Sequence, residues 1–306
     1  MTKSPIVIYH HQCHDGITAF WCAKQKYPEA EGYPGIYQNP PDLERLRGRD
    51  VIIVDFSYKR EDLVRIEKVA SSLLVIDHHE SAQKDLDGLP YCAFDMNRSG
   101  AGLTWDILMG SNRPLLVDYV EDRDLFRFAL PNSREVHAAM SQFPLDYETR
   151  CVLMSRPIEG LVLEGRIVLR YHNKLVDTAA KAVLPMLICE HLVPSVCCPN
   201  VEIISDLGHK LAQKAPFALM WTEFGDGVCV ASLRTDRPNI KVNDIAAMFG
   251  GGGHPTAAGF RTTREFIRSS LDKGRDITNN ITKGKPFTMD VFETVMLARK
   301  ETPSLP

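Results

Sequence analysis

The chain has 306 residues, 44% of them hydrophobic and 25% charged, a composition that excludes intrinsic disorder, collagen and coiled coil and provides material for about two domains. Its 36 Lys and Arg against 39 Asp and Glu leave a formal charge of −3, which argues against a protein that coats long nucleic acid, long duplex DNA included, because phosphate neutralisation needs a basic stripe. No uncharged apolar run approaches the roughly 18 residues of a membrane span, and MTKSPIVIYHH at the start lacks the apolar segment of about 7–15 residues that a secretory signal carries, so no membrane partner and a cytoplasmic location are expected.

In chain order, three apolar runs of four residues come first: Ile6 to Tyr9, Val51 to Val54 and Leu73 to Ile76. Such runs suit strands buried on both faces. Ile17 to Tyr27 reads as a helix, and so does Arg60 to Ser72, with Leu63, Ile66, Val69 and Leu73 at helical spacing. Tyr91 to Phe94 reads as a further strand. The alternation predicts an α/β fold, a mostly parallel sheet with helices on both faces. From Glu159 to Leu184 the apolar positions 163, 167, 171, 175, 179 and 182 fall on one helical face, with no Pro until Pro185, which predicts a long helix joining two domains. Beyond it come short strand-like pieces, Leu187 to Cys189, Phe217 to Trp221 and Val228 to Leu233, and a glycine cluster at 250 to 253. They predict a smaller mixed α/β domain. The expected organisation is therefore 1–158, a linker helix 159–184, and 185–306. Charge divides unevenly, with 22 basic against 26 acidic residues up to 184 and 14 against 13 beyond. The eight cysteines form no CxxC pair and are expected to be reduced, most of them as small buried residues.

His or Asp follows each of the three apolar strands: His10, His11 and then Asp15 after the first, Asp55 after the second, Asp77, His78 and His79 after the third. Open α/β sheets bind ligands at that carboxyl edge. One such Asp alone could merely cap the next helix, but three strand ends together bring up to four imidazoles and three carboxylates into one crevice. Packed carboxylates repel unless a cation sits between them, and mixed Asp/His ligation suits Mn²⁺ and, less specifically, Mg²⁺ or Zn²⁺. A pair of ions is the sharper expectation.

VIDHHES around Asp77 and GGGGHPTAAGF at 250 to 260 resemble the DHH phosphoesterase family and its DHH-associated C-terminal domain, and the resemblance spans nearly the whole chain. It implies roles position by position. In YHHQCHDGI, Asp15 matches the second Asp of the first motif, and Cys13 stands where the first Asp is usual. In a subset of the family with Cys there, His10 is the imidazole ligand; with the other spacing His11 serves instead. Cys13 binds one metal, or that site is weakened, or only one metal binds tightly, with a Cys packed beneath the loop as the alternative; its thiolate would suit Zn²⁺ better than Mn²⁺. Asp55 matches the carboxylate that bridges both metals, His78 a metal ligand, His79 the imidazole that faces the phosphate as a catalytic residue, and Asp77 the catalytic-site group that orients imidazole or water. The fourth motif falls in DYVEDRDLF, where Asp124 is the choice and Asp122 the runner-up, while Asp118 and Glu121 read as a solvated helix face.

Two glycine-rich stretches complete the resemblance. In NRSGAGLTW, Ser99 opens a helix whose amides could hold a phosphate, with Arg98 beside it; ordinary capping by Ser99 is the alternative. Gly251, Gly252, Gly253 and His254 match the loop with which the family holds the substrate's terminal phosphate or base, although four glycines could also form a flexible turn. Arg234 in ASLRT resembles the family's substrate-clamping Arg. His137, His172, His191 and His209 have no motif around them and read as surface or core residues. The resemblance thus implies a metal-dependent phosphodiesterase that cuts short RNA or linear dinucleotides such as pGpG to mononucleotides, similar to nano-RNases. A 3′-phosphoadenosine 5′-phosphate phosphatase and a cyclic-dinucleotide phosphodiesterase stay open, as do an RNA-binding module without catalysis and assembly as a homodimer.

Overall fold

The computed structural model describes residues 3–11, 13–37, 39–110 and 112–301. In it the first apolar run becomes β1 (Ile6–His10), followed by α1 (His14–Lys26), β2 (Glu31–Gly35), a short α2 (Leu43–Leu46), β3 (Asp50–Val54), α3 (Arg60–Val69), β4 (Ser72–Asp77), α4 (Glu80–Leu86) and β5 (Cys92–Phe94). Four more helices follow before the long one: α5 (Gly100–Leu108), α6 (Leu115–Asp124), α7 (Ser133–Met140) and α8 (Tyr147–Met154). The sheet order is β2-β1-β3-β4-β5, and every pairing is parallel. The fold class is the α/β architecture read from the alternation. The sequence reading lacks β2, because EGYPG has no apolar run; Pro34 is tolerated there because β2 is an edge strand.

Strand parity sorts the core into two layers. Ile6, Ile8, Val51, Ile53 and Val75 pack on one face with Leu46, Leu63, Ile66 and Leu86 from α2, α3 and α4. Val7, Ile52, Val54 and Ile76 pack on the other with residues of α1, α5, α6 and α7. Alternate side chains of a strand point to opposite faces, so runs apolar at every position are what a doubly covered sheet requires. Polar residues begin where the strands emerge from that cover. That places the candidate site at the carboxyl edge, where the order reverses between β1 and β3.

The long helix α9 runs Ile158–Ala179 and gives way to a 3-10 turn, Ala180–Ala182. It stops short of the expected 184, and Leu184, whose helical backbone Pro185 disfavours, already begins the next strand. Its buried apolar side chains are Leu161, Val162 and Val176, whereas Leu163, Ile167 and Tyr171 of the apolar stripe are exposed.

The chain divides into two compact units, Met1–Arg170 and Tyr171–Pro306. In the second lie β6 (Leu184–Ile188), β7 (His191–Cys197), α10 (Ile204–Ala212), β8 (Ala218–Glu223), β9 (Val228–Arg234), α11 (Val242–Ala247), β10 (Gly252–Gly253), β11 (Ala257–Thr263), α12 (Arg264–Thr282) and α13 (Met289–Glu301). The sheet order is β10-β11-β9-β8-β7-β6, antiparallel except for the parallel pair β7 and β8. Parity again makes two layers: Leu219 and Trp221 face a core with α11 and α12, and Ala218 and Met220 face one with α10. Cys189, expected in a strand, is a turn residue. With Glu190 it takes left-handed backbone, φ 47° and 64°, and joins β6 to β7 as a two-residue hairpin. β7 itself escaped the sequence reading because Pro194 interrupts its apolar pattern. All eight cysteines are free, but only Cys22, Cys198 and Cys229 are buried, fewer than expected. Among the described residues no helix is long and apolar enough to cross a membrane.

Candidate metal centre

Three strand ends and two helix ends of the first unit meet at one point. His78, 2% exposed, directs its Nε2 at three carboxylates: Asp55 Oδ1 at 3.0 Å, Asp124 Oδ2 at 3.6 Å and Asp15 Oδ2 at 3.8 Å. Asp55 follows β3, Asp15 lies in the first turn of α1, and Asp124 is the last residue of α6. The other oxygen of Asp55, Oδ2, lies 3.5 Å from His10 Nδ1. Among the donor groups whose atoms converge within 4.8 Å are Asp15 with His78 and Asp124, His10 with Cys13 and Asp55, and Asp55 with Asp77, His78 and His79. Asp55 thus turns Oδ1 to His78 and Oδ2 to His10.

The carboxylates are poorly satisfied by the protein itself. Oδ2 of Asp15, of Asp55 and of Asp124 is buried without a hydrogen-bond partner among the described residues, and each such group costs about 1–3 kcal/mol or more when charged. Burial, with the Asp55 and Asp124 charges, pushes Asp15 well above the usual carboxylate range. Burial also raises Asp124, with Asp55 adding to it against the pull of His78. For Asp55 burial is outweighed by the His10 and His78 imidazoles, which hold it well below that range. Burial alone would lower His78, but Asp55, Asp124 and Asp15 overcome it and raise it well above an ordinary imidazole. The half-buried Cys13 thiol is driven up by burial and by Asp55, Asp124 and Asp15, so without a cation beside it the sulfur keeps its proton. Oxygen-rich donors with one imidazole suit a hard divalent ion, and His10, Cys13 and Asp55 make a softer set.

Asp77 differs from the other carboxylates. Its Oδ1 accepts the His78 amide at 2.7 Å and lies 2.6 Å from His79 Nδ1, and its Oδ2 accepts the Ser57 hydroxyl at 2.8 Å. Both oxygens accept hydrogen bonds within the protein, and the His79 and His78 imidazoles hold Asp77 below the usual range despite burial. Ser57, two residues after Asp55, is a site residue the sequence reading missed. Tyr37 is another, edge-on to His10 with ring centroids 5.3 Å apart.

Several candidates fall elsewhere. His11 lies past the end of β1, is exposed, and joins none of the donor groups among the described residues; of the two imidazoles it is His10 that reaches Asp55. Asp122 accepts the Ala129 and Leu130 amides at 2.8 and 3.2 Å, which makes it the clamp of its own loop and leaves Asp124 in the cluster. Glu121 is no solvated residue: it is 9% exposed and binds Arg98, Arg113 and the Ser99 amide. Arg98 is correspondingly engaged with Glu121 and Asp106. Ser99 caps α5 by accepting the Gly102 amide at 3.1 Å, and the Ala101 amide goes to Asp15 Oδ1 at 3.1 Å. The positive end of that helix therefore faces a protein carboxylate, not an open phosphate cradle.

In the second unit Arg234 Nη2 donates to Ser205 Oγ at 3.0 Å. Gly252 and Gly253 form β10, paired with Gly259 and Ala258, so the glycines are a hairpin arm and not a loose turn. Gly251 precedes that arm, and His254 begins its tight turn, exchanging backbone hydrogen bonds with Ala257. At Gly253, φ is 139° and an added Cβ would lie 2.5 Å from the Ala257 carbonyl, which only glycine avoids. Of the other histidines, His172 pairs with Asp206 at 2.9 Å and His209 with Asp236 at 2.5 Å, while His137 stands edge-on to His14 and His191 to Phe217.

Residues 200–280 match the model of the DHHA1 domain. An uncharacterised protein of Acanthamoeba polyphaga mimivirus is 26% identical, with 83% of this chain and 66% of that protein covered, so the chain spans just under two thirds of that relative's length. RecJ from Thermus thermophilus, solved in complex with Mn²⁺, is similar with a TM-score of 0.54 at 13% identity, covering 89% of this chain and 51% of RecJ. The DHH domain of a member of the s1p family of ribosomal proteins is similar with a TM-score of 0.52 at 16% identity, covering 88% of this chain and 86% of that one. Residues 200–280 thus match the DHHA1 domain, and the chain shares the fold of these two solved structures, with the Asp77-His78-His79 tripeptide at the end of β4.

Proposed function

We propose that the protein is a metal-dependent phosphodiesterase that hydrolyses short oligoribonucleotides or linear dinucleotides such as pGpG to mononucleotides. One observation carries the reading: Oδ2 of Asp15 and of Asp124 are buried and unpartnered around His78, and Oδ2 of Asp55 is buried and unpartnered on the His10 side, an arrangement that divalent cations would relieve. The donor set fits such ions. His10, Cys13 and Asp55 would hold one, and Asp15, Asp55, His78 and Asp124 the other, with Mn²⁺ the first choice and Mg²⁺ or Zn²⁺ alternatives. When bound, the ions supply positive charge that makes water more acidic and offsets charge on the phosphoryl oxygens.

The chain's own residues do the rest. His79 has Nδ1 committed to Asp77, so any proton it gives to a leaving sugar oxygen, or any hydrogen bond to the phosphoryl group, passes through Nε2. Asp77, fixed by Ser57 and the His78 amide, sets that ring's tautomer and angle. Arg234 and His254 of the DHHA1 domain are proposed to bind the substrate's phosphate or base. A net charge of −3 supports short substrates, since long ones bind through many cationic contacts.

The test is a product-resolved panel with Mn²⁺: linear dinucleotides, a 5′-labelled short RNA, 3′-phosphoadenosine 5′-phosphate and cyclic dinucleotides. Mononucleotides from pGpG or short RNA are expected, with no turnover by Asp55→Asn. Phosphate release from 3′-phosphoadenosine 5′-phosphate alone would make the protein a phosphatase. Thermal stabilisation by RNA with no product in any metal would make it a binding module.

A further inference from the structure

The first turn of α5 touches two of the cluster carboxylates. Its Ala101 amide donates to Asp15 Oδ1 at 3.1 Å, and Gly100 lies flush against Asp55, so that an added Cβ would come 2.3 Å from Asp55 Cβ and 2.7 Å from Oδ1. Asp55 itself has φ 54°, left-handed backbone that a non-glycine residue keeps only where its surroundings enforce it. Four charged side chains hold that turn in place. Glu121 Oε2 accepts the Ser99 amide at 3.1 Å and Arg98 Nε at 2.9 Å, and its Oε1 accepts Arg113 Nη1 at 3.2 Å. Asp106 closes the ring, accepting Arg113 Nη2 at 3.0 Å and bonding Arg98 Nη1. Arg98 Nη2, the remaining nitrogen, is buried. Glu121 lies one turn before Asp124 on α6, so the ring ties the helix carrying Asp124 to the turn that abuts Asp15 and Asp55.

We propose that Arg98, Asp106, Arg113 and Glu121 form a positioning clamp that sets the spacing of Asp15, Asp55 and Asp124, and that Arg98 is not a phosphate contact. This rests on reading the cluster as a metal centre. The physical reason is rigidity: forked guanidinium–carboxylate pairs fix direction as well as distance, and carboxylates left to repel one another would splay without a stop behind them.

The test compares the full-length protein with Glu121→Gln and Arg98→Lys, measuring Mn²⁺ affinity and stoichiometry by calorimetric titration, the electron paramagnetic resonance signature of a coupled Mn²⁺ pair, and kcat and KM on pGpG. Both variants are expected to weaken Mn²⁺ binding about 10- to 100-fold, to lose the coupled-pair signature and to lower kcat, with KM at saturating Mn²⁺ within about twofold of wild type. Arg98→Lys keeps the charge that a phosphate contact needs and loses only the fork; should Glu121→Gln not fold, Arg98→Lys decides alone. Unchanged Mn²⁺ affinity, with KM raised or not, overturns the clamp. A wild-type protein that takes up no Mn²⁺ overturns the metal-centre reading itself and the clamp with it.

Discussion

Among the described residues Arg150 is the largest side chain with under 2% of its surface exposed, 1% on α8, and its Nη2 lies 3.0 Å from His14 Nδ1. A guanidinium always carries its protons, so at that distance the imidazole nitrogen must accept, and His14 must be neutral. Burial, then the charges of Arg150 and Arg123, bring the His14 pKa down to about 3. The sign of the linkage follows. An unfolded His14 takes up a proton below about pH 6.5, the folded one only near 3, so stability is full above 6.5 and is lost progressively as pH falls towards 3. Across that window the metal-free protein should lose about 1.4 kcal/mol per pH unit more than His14→Gln, whose amide oxygen can still accept from Arg150. Paired urea unfolding curves between pH 6.5 and 4.5 measure it, and parallel pH dependence in the two proteins would mean that His14 is protonated in the fold. Neither Arg150 nor His14 was legible in the sequence. His14 lies inside the motif that was read, but nothing in a pattern of spacings shows that a helix 136 residues away lowers an arginine onto it.

At the scale of one element, α6 and the loop after it separate two aspartates that look alike in EDRDLF. Asp122 holds the loop: its carboxylate accepts the Ala129 and Leu130 amides, and its carbonyl accepts those of Arg127 and Phe128. The wrapped segment carries two left-handed phenylalanines, Phe126 and Phe128, with Arg134 3.6 Å above the Phe128 ring. Asp124, two residues further along α6, points its unpartnered oxygen at His78. The two Asn substitutions should therefore differ in kind. Asp122→Asn loses at least one amide acceptor and should cost about 1–3 kcal/mol of stability while sparing Mn²⁺ affinity. Asp124→Asn removes a repelling charge, should leave the metal-free melting temperature equal or higher, and should abolish Mn²⁺-dependent stabilisation. Identical thermal and metal responses would contradict the division. The central elements and their order were legible because β1, β3 and β4 are covered on both faces and apolar through their middles; the clustered aspartates and histidines were legible as candidates because polar residues resume where that cover ends. β2 and β7 were not, since an edge strand and a proline-bearing one carry no such run. Glu121 was misread for a related reason: the partners that bury it, Arg98 and Arg113, come from two other stretches of chain, and periodicity within α6 records neither.

For the whole molecule, the two units carry separate cores on separate sheets, and the carboxylate cluster of Asp15, Asp55 and Asp124 around His78 belongs to the first. A ligand that binds only the folded state stabilises what it binds by RT ln(1 + [L]/Kd), about 2.7 kcal/mol at a hundredfold excess over Kd. For a unit of the first one's size that corresponds to a rise of roughly 5–10 °C, given about 2–4 °C per kcal/mol. Differential scanning calorimetry should accordingly resolve two transitions, of which Mn²⁺ moves one. Asp55→Asn should leave that transition where it lies without metal and should not shift the other. Two further outcomes would be informative in opposite ways: a single transition displaced as a whole by Mn²⁺ would show that the units unfold together, whereas displacement of the transition that survives in Asp55→Asn would put the cation on the DHHA1 side and remove the carboxylate cluster from its role.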